Sequence, residues 1–151
     1  MAHEFFRTIE NEHEEVKSIL EQLEKTSPGA VKIKEALFSK LKQELIPHMK
    51  GEETHFYSLL LDKKSARKQA MEATEEHHVA EMVLKELDSL AKSEEQWDAK
   101  LKVFKQIIEH HIEEEEEELF EAAQDNLDQD QLNSIMTAYA EEKEKIKQEY
   151  Q

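Results

Sequence analysis

LIPHMKGEETHF, residues 45–56, sets a histidine and a glutamate into an otherwise apolar helical stripe. At about 3.6 residues per turn, Leu41, Leu45, His48, Glu52 and Phe56 share one face. Burying a carboxylate with no partner costs several kcal/mol, a large part of a domain's net stability. Something must therefore await Glu52 inside, and the rest of the chain is read for what brings it there.

The chain has 151 residues, enough for one domain with a real core. Gly29, Gly51, Pro28 and Pro47 are its only Gly and Pro residues, and Glu, Lys, Ala and Leu abound, so nearly all of it reads as helix. The net charge of −16 argues against nucleic acid or an anionic membrane surface as a partner. Absence of cysteine excludes disulfides, thiolate-held clusters and thiol chemistry. No signal-like segment opens the chain, and no apolar run approaches the ~20 residues that span a bilayer. A cytoplasmic protein is expected.

A first helix is predicted over about residues 4–25, with Phe6, Ile9, His13, Val16, Leu20 and Leu23 inward. TSPG, residues 26–29, makes a turn. A second helix, about 30–61, turns inward Ile33 or Lys34, Leu37, Leu41, Leu45, His48, Glu52, Phe56 and Leu59, with a kink expected at Pro47. The third, about 66–91, presents Ala70, Ala73, His77, Ala80, Leu84 and Leu87; the fourth, about 96–123, presents Trp97, Leu101, Phe104, Ile108, His111, Glu115, Leu119 and Ala122. A fifth begins at Asp128, where Gln131 completes a capping box, and carries Leu132, Ile135, Met136, Tyr139 and Ile146. The fold class is all-α: an up-down-up-down four-helix bundle with an additional C-terminal helix. Residues 1–124 would form the bundle, and 125–151 a helix capping the same domain.

The halves repeat. EHEEVKSILEQL (12–23) matches EHHVAEMVLKEL (76–87), and LKQELIPHMKGEETHFY (41–57) matches FKQIIEHHIEEEEEELF (104–120). His13 pairs with His77, His48 with His111 and Glu52 with Glu115, so each half is a helical hairpin carrying His, then His-x3-Glu.

Glu fills 30 of the 151 positions, so one His-x3-Glu pair proves little. Register is the stronger signal. His13, His48, His77 and His111 each lie mid-helix on the apolar stripe of a different helix, and Glu52 and Glu115 follow one turn after two of them. Packed together, these stripes converge four imidazoles and two carboxylates. Cations satisfy both kinds of group, because neutral imidazole offers a lone pair and carboxylate offers charge. Six N/O ligands exceed the four of a structural zinc site and lack its thiolates, and four histidines do not suit calcium or magnesium. Two metals sharing Glu52 and Glu115 as bridges is the economical reading, with iron favoured and manganese or zinc as alternatives.

These motifs, in this order and spacing over about residues 3–123, resemble the hemerythrin-like (HHE cation-binding) family. The resemblance implies a four-helix bundle around a non-heme di-iron centre with oxo or hydroxo bridges. It further implies that His13, His48, His77 and His111 are terminal iron ligands and that Glu52 and Glu115 bridge. Oxygen-carrying members add a histidine where this chain has Ala73, and an aspartate where it has Glu116. That difference favours the branch with two His-x3-Glu motifs, associated with oxygen or iron sensing, iron–sulfur cluster repair, and peroxide or nitric oxide chemistry.

The expected function is binding of O2 or a related small ligand at a di-iron pair, with a redox partner still to be named. Two readings compete: an enzyme acting on peroxide or nitric oxide, or donating iron for cluster repair, and a helical interaction module with a purely structural metal. His78 and His110 should point about 100° away from the ligands. His55 and His3 are read as outside the ligand set, with a place at the centre's edge the lesser reading of His55. Tyr57 and Trp97 are read as packing.

Overall fold

The computed structural model describes residues 2–150, so Met1 and Gln151, at the ends of the spans read from the sequence, lie outside the described residues. The helices are α1 (Glu4–Lys25), α2 (Val31–Glu52), α3 (Arg67–Ser89), α4 (Glu95–Glu114) and α5 (Gln129–Glu149). Two of them continue past a change of register. A π-helical segment, Glu53–Tyr57, and an α turn, Ser58–Leu60, extend α2. In the same way Glu115–Leu119 is π-helical and Phe120–Asn126 α-helical beyond α4. Pro47 is carried inside α2, and departure from α-helical bonding comes only after Glu52.

α1 packs against α2 and α4, and α3 against α4 and the π segment of α2, which closes a four-membered bundle. α5 lies along α2 and reaches α1. Local chemistry sets the helix starts. His3 Nδ1 accepts from the Phe5 amide at 2.9 Å to cap α1. The predicted capping box of α5 is present, with Gln131 N–H donating to Asp128 at 2.8 Å and the reciprocal bond at 2.9 Å.

The core is split in two. One apolar cluster holds Phe5, Phe6, Ile9, Phe56, Phe120 and Tyr139; the other holds Val16, Leu20, Phe38, Leu45, Trp97 and Phe104. Between them the bundle buries His13, His48, Glu52, His77, His111 and Glu115, none more than 5% exposed. Trp97 is core as expected, its Nε1–H donating to Leu87 O at 2.9 Å.

The π segments displace the predicted stripes by one residue. Leu59 is 41% exposed while Leu60 is fully buried, and Ala123 is buried where Ala122 was expected. An extra residue per turn rotates everything that follows, which strict α-helical spacing does not anticipate. Near the start of α2, Lys34 takes the interior and Ile33 is 58% exposed. Lys34 Nζ meets Asp98 at 2.8 Å and the carbonyls of Pro28 and Lys92 at 3.3 and 3.4 Å, so its charge is compensated. Phe38 likewise replaces Leu37 as the buried residue of its turn. Among the described residues, no helix is long and apolar enough to cross a membrane.

Candidate metal centre

All six residues read from the sequence converge in the polar layer. Ligand atoms of His13, His48, Glu52 and Glu115 lie within 4.8 Å of one another, and so do those of Glu52, His77 and His111. His13 Nε2 is 3.0 Å from Glu115 Oε1, and His48 Nε2 is 3.0 Å from Glu52 Oε1. On the other side, His77 Nε2 lies 3.5 Å from the same Glu52 oxygen and His111 Nε2 lies 3.9 Å from Glu115 Oε2. Each glutamate thus faces a histidine of its own hairpin and one of the other. The repeat reads the register correctly: Glu115 points inward, and Glu116 stands outside it.

Sequence reading missed a second ring. Every histidine Nδ1 meets a carboxylate on an adjacent helix: His48 with Glu12 at 2.8 Å, His77 with Glu53 at 2.9 Å, His111 with Glu76 at 2.7 Å, and His13 with Glu116 at 2.7 Å. A signal was present in the repeat, since Glu12 and Glu76 each precede the ligand histidine and Glu53 and Glu116 each follow the ligand glutamate. Adjacent residues diverge by about 100° on a helix, so the neighbour of an inward group reaches sideways to the next helix. With Nδ1–H donated outward, a neutral ring leaves its Nε2 lone pair facing the interior, as metal-binding histidines require.

Tyr57 is the other omission. Its hydroxyl donates to Glu115 and, at 3.2 Å, to Glu52, and lies 3.4 and 3.3 Å from the Nε2 atoms of His77 and His111. Residues 52 and 57 diverge by about 140° on an α-helix but align when the intervening turn is π-helical. The same register change that moved the stripe therefore carries a phenol into the centre.

Charge in the layer is divided unevenly. Burial, with Glu115 alongside, pushes the Glu52 carboxyl well above its ordinary range. Burial also acts against ionised Glu115, but His13 outweighs it and holds that carboxyl well below. Burial alone would lower His13, yet Glu115 and Glu116 raise it to about 9. Glu12 is opposed by burial and held down to about 2 by His48 and Lys143. Burial, then Glu115 and Glu52, drives the Tyr57 phenol well up, so it stays a neutral donor.

The donors fit cations. Glu52 Oε2 is buried without a hydrogen-bond partner, and His13 Nε2 and Glu115 Oε1 have only each other, poorly aligned at 3.0 Å; native interiors rarely leave such groups unsatisfied. His77 and His111 bring their Nε2 atoms to 3.1 Å. Two nitrogens bound at about 2.1 Å and roughly a right angle on one ion stand about 3 Å apart. An apolar cavity of about 10 Å³ lies between the four imidazoles and Val16, Leu45, Met49, Ile108 and Ile112. A polar one of about 10 Å³ lies between α3 and α4, walled by Glu72, Glu76, Glu114 and Glu118 and reaching His111 and Glu115. Ala73, which contributes no donor, lines it too.

The remaining histidines lie elsewhere. His78 and His110 are exposed, as expected. His55 Nε2 meets Glu142 of α5 at 3.3 Å, and His3 Nε2 meets Asn133 at 2.7 Å.

The comparisons agree with this geometry. A search of curated proteins returns no match. Among solved structures, the chain is similar to the crystal structure of a hemerythrin HHE cation binding domain-containing protein, the Rv2633c homolog from Mycobacterium kansasii. The TM-score is 0.81 at 22% identity, covering 95% of this chain and 87% of that one; at that identity the likeness is one of fold. The family model described as Hemerythrin HHE cation binding domain matches residues 4–123. With four histidines and two glutamates converging in the matched span, the chain belongs to the hemerythrin HHE cation binding domain family.

Proposed function

We propose that this protein holds a pair of iron ions and takes up O2 or a related small ligand there, as a sensor or carrier. One position would be served by His13 and His48, the other by His77 and His111, with Glu52 and Glu115 available to both. The observation that carries this reading is the inward convergence of four imidazoles and two carboxylates, each imidazole backed by an outer carboxylate. Mixed N/O donors without thiolate suit iron, although manganese or zinc would accept the same set.

Iron supplies a redox-active cation that accepts O2, peroxide or nitric oxide as a ligand. The protein's part is to fix that environment. Glu12, Glu53, Glu76 and Glu116 hold the Nδ1 protons and so the ring orientations. The cavity beside the imidazoles is lined by apolar side chains and, at about 10 Å³, lies at the lower limit for one water-sized molecule. Metal analysis after iron reconstitution should give about two irons per chain and a visible band that changes reversibly with O2. Less than one iron, or zinc alone with no redox response, refutes the proposal.

Tyr57 favours a second reading, an enzyme consuming peroxide or nitric oxide. A neutral phenol among the ligands would be placed to donate a hydrogen bond or a proton to a substrate held there. Catalytic peroxide loss by the iron-loaded protein, reduced in Tyr57→Phe at unchanged iron content, would select it. Stoichiometric, reversible spectral change without turnover selects the carrier or sensor.

A further inference from the structure

The four histidine–carboxylate pairs repeat around the bundle, but α5 reinforces only one of them. Resting on the metal-pair reading, we infer that α5 makes the two cation positions unequal. Tyr139 and Lys143 are positioning residues that hold Glu12, and through it His48, so the position at His13 and His48 binds its cation more tightly than the one at His77 and His111.

The contacts divide the Glu12 carboxylate between two anchors. Tyr139 hydroxyl donates to Oε1, the oxygen that also accepts from His48 Nδ1, and lies 3.0 Å from that nitrogen. Lys143 Nζ holds Oε2 at 2.8 Å. Tyr139 is 1% exposed and its ring presses on α2 at Gly51, where a Cβ would come within 2.8 Å of it. α5 therefore approaches this pair as closely as α2 permits, and only because position 51 lacks a side chain.

The matching pair in the other hairpin has no such support. Glu76 accepts from His111 Nδ1, but its second oxygen faces His110 Nε2 at 3.9 Å, and its side chain borders the polar cavity lined by Glu72, Glu114 and Glu118. No lysine or tyrosine anchors it among the contacts described. Glu12 is fixed at both oxygens by a buried tyrosine and a lysine of α5, whereas beyond His111 Glu76 has only the Glu114 carboxyl and the exposed His110 beside it, a weaker hold on its histidine. α5 lies beyond the matched residues 4–123, so the support comes from outside the span that the family model describes.

Anaerobic calorimetric titration of the metal-free full chain with iron(II) tests the inference. Wild type should show two unequal steps of one ion each. Combining Tyr139→Phe with Lys143→Gln should weaken the tighter step about tenfold, the low end for loss of an outer partner, and leave the weaker step in place. Lys143→Arg, which keeps a cation beside Glu12, should retain most of the affinity that Lys143→Gln loses. Glu76→Gln should weaken the weaker step alone. Equal steps in wild type, or a double variant that moves both steps alike or neither, overturns the inference. Fewer than two ions on wild type refutes the metal pair itself, and this inference with it.

Discussion

Gly51 offers a direct measure of how closely α5 is fitted to the bundle. In an unobstructed helix, glycine to alanine stabilises by about 0.8–1 kcal/mol. Here the new Cβ would lie 2.8 Å from Cδ1 and Cε1 of Tyr139, well inside van der Waals contact. The ring cannot easily give way, because it is buried and its hydroxyl is committed to Glu12. Forcing an extra carbon into such a site costs about 1–3 kcal/mol. Gly51→Ala should therefore destabilise by about 0–2 kcal/mol, the difference of the two effects. In a Tyr139→Ala background the obstruction is gone, and the same substitution should stabilise by about 1 kcal/mol. Urea unfolding followed by circular dichroism, in chelator so that metal linkage does not enter, gives all four corners of the cycle. Equal stabilisation by Gly51→Ala in both backgrounds would refute the packing of α5 described above.

Glu53→Gln should lower metal affinity about 10–100-fold through loss of the His77 partner, at unchanged helical content; competition against a chelator reads this directly. Metal uptake should release protons, because His13 is held near 9 and the Glu52 carboxyl is pushed well above its ordinary range. Affinity should thus rise with pH up to about 9, and calorimetry in buffers of different ionisation enthalpy counts the protons. In the metal-free chain the sign reverses. The His13 value is raised from 6.5 to about 9, so its contribution is complete below pH 6.5 and lost as pH rises through 9. That loss amounts to about 3 kcal/mol and should appear as a falling melting temperature over this range. At the far end of the bundle, Asp98→Ala strands the buried Lys34 ammonium and should cost more stability than Lys34→Met, which removes the charge itself; urea unfolding ranks the two.

The helices, their order and the six inward donors were legible because hydrophobic period and internal repeat agree. His13, His48, His77 and His111 fall on four stripes at matched depth, and packing those stripes together buries all four. What escaped were consequences of a π-helical turn. Tyr57 and Leu60 lie inside, and Ala122 gives way to Ala123, because five residues rather than four closed one turn. Nothing in ETHFY or EEEEL marks that change for a reader counting by α-helical period. Glu12, Glu53, Glu76 and Glu116 escaped for a different reason. In a chain so rich in glutamate, a carboxylate reaching across to a neighbouring helix looks like any solvated one until the helices are packed.

Each hairpin supplies half of a closed circuit. Glu12 grips His48 and Glu76 grips His111 inside their own hairpins, whereas Glu53 reaches across to His77 and Glu116 reaches back to His13. Contacts that exchange in this way are what an isologous dimer makes about a dyad. A pseudo-dyad thus relates the two hairpins across the centre, and neither hairpin alone holds all four contacts of the ring.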